Sequence, residues 1–104
     1  MDRVATLTLT DTLRRAVAAY AGEVHSVSGT STLHYLENEQ DQVFCVVSPY
    51  DPAYKKADLV IMARIVDDKI VIDTDMNLNP LYQVLRDAGV PDEQISVAWK
   101  PVRL

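Results

Sequence analysis

Glycine is scarce in this sequence, with 3 residues, and cysteine and tryptophan occur once each. So few glycines exclude the P-loop and the dinucleotide fingerprint, which need several at fixed spacing to bring backbone against phosphate. The lone cysteine, Cys45, has no internal disulfide partner and sits in the apolar run VFCVV, which suits a reducing compartment and sets the expectation of a cytoplasmic protein. Positive charge is also thin, with 10 Lys+Arg against 15 Asp+Glu and a formal net charge of -5. Its nearest clusters are the pairs Arg14 with Arg15 and Lys55 with Lys56, and Lys100 and Arg103 only add scattered charge. A phosphate-gripping surface needs a denser basic face than that. No apolar run approaches the ~20 residues of a membrane span. The opening MDRVATLTLTD lacks the basic and then long apolar pattern of a secretory leader, so neither membrane nor export is expected.

What is there is ordinary for a globular chain: 104 residues, 48% hydrophobic and 24% charged. That composition fits one domain, residues 1–104, able to bury a core without metal or disulfide. Leu13, Ala16, Val17 and Tyr20 recur three and four apart, predicting a helix over residues 10–20, with Thr10 or Asp11 as its cap and Gly22 just past its end. Upstream, TLTLT alternates, so residues 4–10 read either as a short strand or as the first turns of the same helix. Residues 24–29, with serine and glycine and no period, read as a loop. Strands are predicted over 32–37 and 42–47 around the polar turn NEQD. VFCVV is apolar without a break, which predicts a central strand covered on both faces. Residues 48–56, with Pro49 and Pro52, read as a surface loop.

The clearest local signal is residues 59–75, two β-branched runs around Asp67 and Asp68, the turn of a hairpin. Pairing Val66 with Lys69 sets Ile65 against Ile70, Ala63 against Ile72 and Ile61 against Thr74 on a core face. Arg64, Met62, Val71, Asp73 and Asp75 then fall on the opposite face. Asn79 and Pro80 supply a cap and first-turn proline for a second helix with Leu81, Val84, Leu85 and Ala88 as its apolar stripe. Gly89 stops it, residues 92–94 turn, and Ile95, Val97 and Trp99 alternate along a last strand. The fold class is α+β: an antiparallel sheet of hairpin-linked strands, an N-terminal helix, and a second helix before the last strand, with both helices on one side.

Candidate chemistry is sparse. Asp67, Asp68, Asp73 and Asp75 are oxygen donors suited to Mg²⁺ or Ca²⁺, and a small metal-dependent hydrolase built on these strand carboxylates is the alternative reading. The turn already employs the first two, however, and no third ligand converges by spacing, so no metal or other cofactor is expected. His25 and His34 stand at no ligand spacing and read as surface residues, while Cys45 lies in too apolar a setting for a thiolate nucleophile and reads as buried. No serine sits in a nucleophile elbow, so no enzyme motif remains. Candidate partner-interface residues are Tyr50 and Tyr54 in the proline-containing loop, Asp73 and Asp75 on the non-core strand face, and Trp99 on the last strand.

Three pieces in order, IVDDKIVID, LRDAGVPDEQI and SVAWKP, together resemble the XisI family, the element-excision controlling factors described from cyanobacteria. The first helix and the LHYLENEQDQVFCVV hairpin fit the same layout. SPYDPAYKKADLVIMARIV stands where the family usually carries a Gly-Trp and a basic, histidine-containing stretch, so the resemblance is to a divergent member. It implies a bacterial, non-catalytic accessory in DNA rearrangement that works with an XisH-like protein of nuclease-related fold. Together with the absent catalytic motifs and the acidic charge, it sets the expectation of a protein-binding accessory, with a homo-oligomer as a further form of assembly.

Direct DNA contact is not expected despite that context, because the charge balance opposes it. Fluorescence anisotropy of a duplex titrated with the protein at physiological salt should show only weak, salt-sensitive binding without sequence preference. Sub-micromolar affinity would overturn this, and Arg14, Arg15, Lys55 and Lys56 would then be the first residues to neutralise.

Overall fold

The structure, a computed structural model, describes residues 5–26, 29–49 and 57–98. Helix α1 spans Thr6–Ala18, upstream of the predicted start at residue 10, and so settles the open choice at TLTLT. Packing decides it: Leu9, Leu13, Ala16 and Val17 fall at i, i+4, i+7 and i+8 and are all buried, whereas Leu7 projects into solvent.

Six strands follow in one sheet: β1 (Gly22–Ser26), β2 (Gly29–Asn38), β3 (Val43–Val47), β4 (Leu59–Val66), β5 (Lys69–Asp75) and β6 (Ile95–Val97). Their order in the sheet is their order in the chain. β1 corrects the reading of residues 24–29 as a loop. It pairs antiparallel with β2 from Gly22 opposite Leu33 to Ser26 opposite Gly29. An edge strand is held by its backbone ladder, and GEVHS carries no apolar alternation to read. Between β2 and β3 the expected polar turn is closed by Asn38, whose side-chain oxygen accepts from the Asp41 N–H at 3.0 Å. Thr10 of α1 donates its hydroxyl to Gln42 at 2.9 Å and ties this turn to the helix layer.

The β4–β5 hairpin turns on Asp67 and Asp68, both at positive φ (50° and 62°), the signature of a type I′ turn. Its register is as expected from Val66 opposite Lys69 to Ala63 opposite Ile72. It then shifts between Met62 and Ala63, so that Ile61 faces Asp75 and not the predicted Thr74. The shift is a bulge: one extra residue in β5 reverses which side every later side chain takes.

Helix α2 (Leu81–Asp87) crosses back to the parallel β6, the one departure from an antiparallel sheet among the described residues. Gly89, at φ +99°, ends the helix as predicted. Its N–H bonds to the Arg86 carbonyl and the Val90 N–H to the Leu85 carbonyl, both at 3.0 Å, which is the Schellman pattern, and the apolar Leu85 and Val90 are both buried. A 3₁₀ turn, Asp92–Gln94, follows, and the fully buried Gln94 donates to the Asp68 carbonyl at 2.9 Å, locking it to the β4–β5 turn. The last strand ends at Val97, short of the predicted Trp99, which lies outside the described residues.

The core sits between one sheet face and the helices: Leu9, Leu13 and Val17 from α1, Leu81 and Leu85 from α2, and Phe44, Val46, Ile61, Ile70 and Ile72 from the strands. β3 is central, as its sequence predicts, but it is not covered on both faces. Phe44 and Val46 are buried beneath the helices, while Val43, Cys45 and Val47 are only half-buried on the other side. Both helices of the described residues lie on the same side, and no described element overlies the second face.

Replacing Gly89 by alanine places no atom within 4 Å of the new Cβ, so its cost is purely that of the positive-φ backbone. The expected loss is about 1 kcal/mol. It should appear as a lower midpoint in urea with an unchanged slope.

Candidate protein-binding surface

The sheet presents two chemically different faces. On the helix side, Arg14 of α1 reaches Glu37 of β2 through two bonds, Nε to Oε1 at 2.8 Å and Nη2 to Oε2 at 3.0 Å. Tyr35 donates its hydroxyl to the same Oε1 at 2.6 Å, and the Arg14 guanidinium lies 5.8 Å from the centre of the Phe44 ring. Hydrogen bonds from Arg14 first and Tyr35 second hold the Glu37 carboxyl below its usual range. Burial first and Glu37 second raise the Tyr35 hydroxyl well above its own. Asp11 adds an ion pair to Arg15 at 2.6 Å. Thus the two arginines singled out as the basic pair are already engaged by carboxylates.

Asp73 and Asp75, expected on one face, leave β5 on opposite sides because of the bulge. Asp73 takes the face away from the helices and accepts from Arg64 Nε at 2.9 Å. Asp75 turns to the helix side. Its Oδ2 accepts from the Leu81 N–H at 2.6 Å and its Oδ1 from the Asn77 N–H at 3.0 Å and the Asn77 side-chain amide at 2.7 Å. It therefore caps α2 from a distance, in place of the predicted Asn79 cap, and Pro80 occupies the N-cap position without a side-chain bond. The Asn79 carbonyl instead accepts from the Tyr20 hydroxyl at 2.6 Å. These bonds tie the loop of residues 76–79 to β5 and to Tyr20 just past α1, and Met76 and Leu78 project from it into solvent. Beside Leu78, a shallow cavity of about 490 Å³ opens between α1 and α2, lined also by Ala16, Ala19, Tyr20 and Val84.

Asp67 and Asp68 form the β4–β5 turn, so the carboxylates considered for a metal do not converge, and the described residues hold no group of three or more His, Cys, Asp or Glu able to share an ion. His34 is exposed on β2, as expected. Cys45 is half-buried and not enclosed, and burial raises its thiol pKa, which disfavours the nucleophilic thiolate. Tyr50, Tyr54 and Trp99 lie outside the described residues, as do Lys55 and Lys56. No helix among the described residues is long and apolar enough to cross a membrane.

Sequence reading missed the open face of the sheet. Strand register sets Leu36, Cys45 and Met62 side by side in one row and Asn38, Val43, Arg64 and Val71 in the next. Leu36 is 52% exposed and Cys45, Met62, Val43 and Val71 are half-buried. The signal was available: Val43, Cys45 and Val47 need a partner if Phe44 and Val46 take the helix side, and the sequence offers no third helix to supply it.

A two-helix layer on one face of a chain-ordered, six-stranded sheet defines an α+β fold. Among solved structures it has the XisI fold. The fdxN element excision controlling factor XisI from Anabaena variabilis ATCC 29413 superposes with a TM-score of 0.72 at 17% identity, covering 93% of this chain and 95% of that one. An XisI-like protein from the same organism gives 0.79 at 16% identity, covering 93% and 89%. No family model matches the sequence, and no curated protein matches it. The fold class and the likeness to XisI expected from IVDDKIVID, LRDAGVPDEQI and SVAWKP are thereby borne out, at an identity in keeping with wide divergence.

The Arg14–Glu37–Tyr35 cluster gives stability a defined pH profile. Glu37 titrates below its unfolded value, so its contribution is complete above about pH 5 and is lost as pH falls through the folded pKa. Tyr35 titrates above its unfolded value, so its contribution is complete below about pH 9 and is lost as pH rises further. The melting-temperature difference between the parent and Glu37→Gln should be largest near pH 7 and shrink steadily toward pH 3. A difference independent of pH would contradict this assignment.

Proposed function

We propose that this protein is a non-catalytic controlling factor in the excision of a DNA element, acting by binding an XisH-like protein. The observation that carries the reading is the match over 93% of the chain to proteins named as XisI, an excision controlling factor, and XisI-like. The side-chain chemistry supports it. Asp73 is held by Arg64, Asp75 caps α2, and the turn takes Asp67 and Asp68, so the carboxylates serve the scaffold. Arg14 and Arg15 are held by Glu37 and Asp11, which leaves them poorly placed to neutralise phosphates, and the net charge of -5 opposes duplex DNA. Influence on DNA then passes through the partner, whose activity or stability this domain adjusts.

Co-expression with an XisH-like protein followed by size-exclusion chromatography tests the reading. The two are expected to co-elute at micromolar concentration. Separate elution under those conditions would remove the partner assignment.

A further inference from the structure

The sheet face turned away from the helices carries an apolar patch around one central ion pair, Arg64 with Asp73, with polar residues at its margins, an arrangement suited to an interface. Leu36, Cys45 and Met62 form the central row, flanked by Val43 and Val71 on one side and Val47 on the other. His34 and Asn38 stand on β2 at one margin and Ser96 on β6 at the other. No element among the described residues packs over them. From these observations we infer that this face binds a second copy of the same chain, the two sheets stacking about a two-fold axis.

Three features select a second copy over a different protein. The first is charge. Although the chain carries -5, this face presents Arg64 and Asp73 in a matched pair, so two copies meet here without opposing net charge. The second is the geometry of that pair. Arg64 uses Nε toward Asp73 Oδ2, and neither its terminal amino groups nor Asp73 Oδ1 has a further partner among the described residues. A two-fold axis between the pairs brings the amino groups of each copy to the carboxylate of the other, the self-complementarity that an isologous contact requires. The third is size and shape. The four strands β2 to β5, five to ten residues long, at about 4.8 Å spacing span a footprint of roughly 19 by 25 Å. Once corrugated by side chains, such a footprint approaches the ~800 Å² per partner of a standard interface. Identically twisted sheets also stack face to face at about -30° without distortion.

Sedimentation equilibrium of the full chain alone, across 1–100 µM, reads the result directly. The expected mass is twice the monomer's 11.6 kDa at the upper end. Met62→Lys, which puts an ammonium in the central row, should return the mass to one chain while leaving the circular dichroism and cooperative melt intact, and Leu78→Lys on the helix side should remain a dimer. Cys45 supplies a second readout that is independent of mass. Its reaction with a thiol reagent should slow at least tenfold between 1 and 100 µM protein, and Met62→Lys should abolish that slowing. A single-chain mass throughout with concentration-independent Cys45 reactivity would overturn the inference. So would a dimer that survives Met62→Lys and dissociates with Leu78→Lys. Because no partner protein is present, failure here leaves the XisH-like assignment standing, and failure of that assignment leaves this one standing.

Discussion

The bulge that interrupts the β4–β5 ladder between Met62 and Ala63 governs much of what surrounds it. A regular β5 would send Asp73 and Asp75 to the same side. With one extra residue, Asp73 joins Arg64 on the open face while Asp75 crosses to the helix layer and receives the first free N–H of α2. That carboxylate sets where α2 begins, and with Tyr20 it also fixes the loop between β5 and α2. The position of α2 in turn determines the span that β6 must cross to pair with β5. A single backbone irregularity thus divides two acidic residues between two unrelated duties.

Local chemistry made much of this structure readable from sequence. Asp67 and Asp68 between β-branched runs, the Ala88, Gly89 and Val90 stop, and the stripe from Leu13 to Val17 carry their signals within a few residues of where they act. What escaped depends on partners far along the chain. β1 exists through its ladder to β2 and has no apolar alternation of its own, so residues 24–29, which include its last three, read as a loop. The bulge leaves no mark in KIVIDTD, which alternates as a straight strand would. Asn79 followed by Pro80 carries a strong capping signal, yet Asp75, reaching from the preceding strand, takes the role. The site was less readable than the fold: pairing alone brings Leu36, Cys45 and Met62 together across three strands.

The two faces of the sheet separate structural cohesion from surface available for recognition. Beneath the helices, a guanidinium, a carboxylate and a phenol share one network at the border of the apolar core, and the fork geometry of Arg14 on Glu37 gives α1 a fixed seat over β2. On the far side the described residues hold one ion pair, Arg64 with Asp73, among half-buried aliphatic side chains, with His34, Asn38, Thr74 and Ser96 as the uncharged polar groups around it. A scaffold that keeps its cohesion on one face can change the other with little loss of stability, which suits a fold found at 16–17% identity in XisI and an XisI-like protein.

The correspondence between strand order in the sheet and strand order in the chain also has a kinetic meaning. β1 to β5 each pair with a sequence neighbour, so each ladder closes a short loop and gives up little chain entropy before its contacts form. The meander can zip from any of its turns. β6 is the exception, because it must wait until α2 has traversed the sheet before it can lie parallel to β5, and it offers only three residues when it arrives. The order of the sheet therefore separates a locally wired body, β1 to β5, from a closing step at the β6 edge that depends on a longer loop.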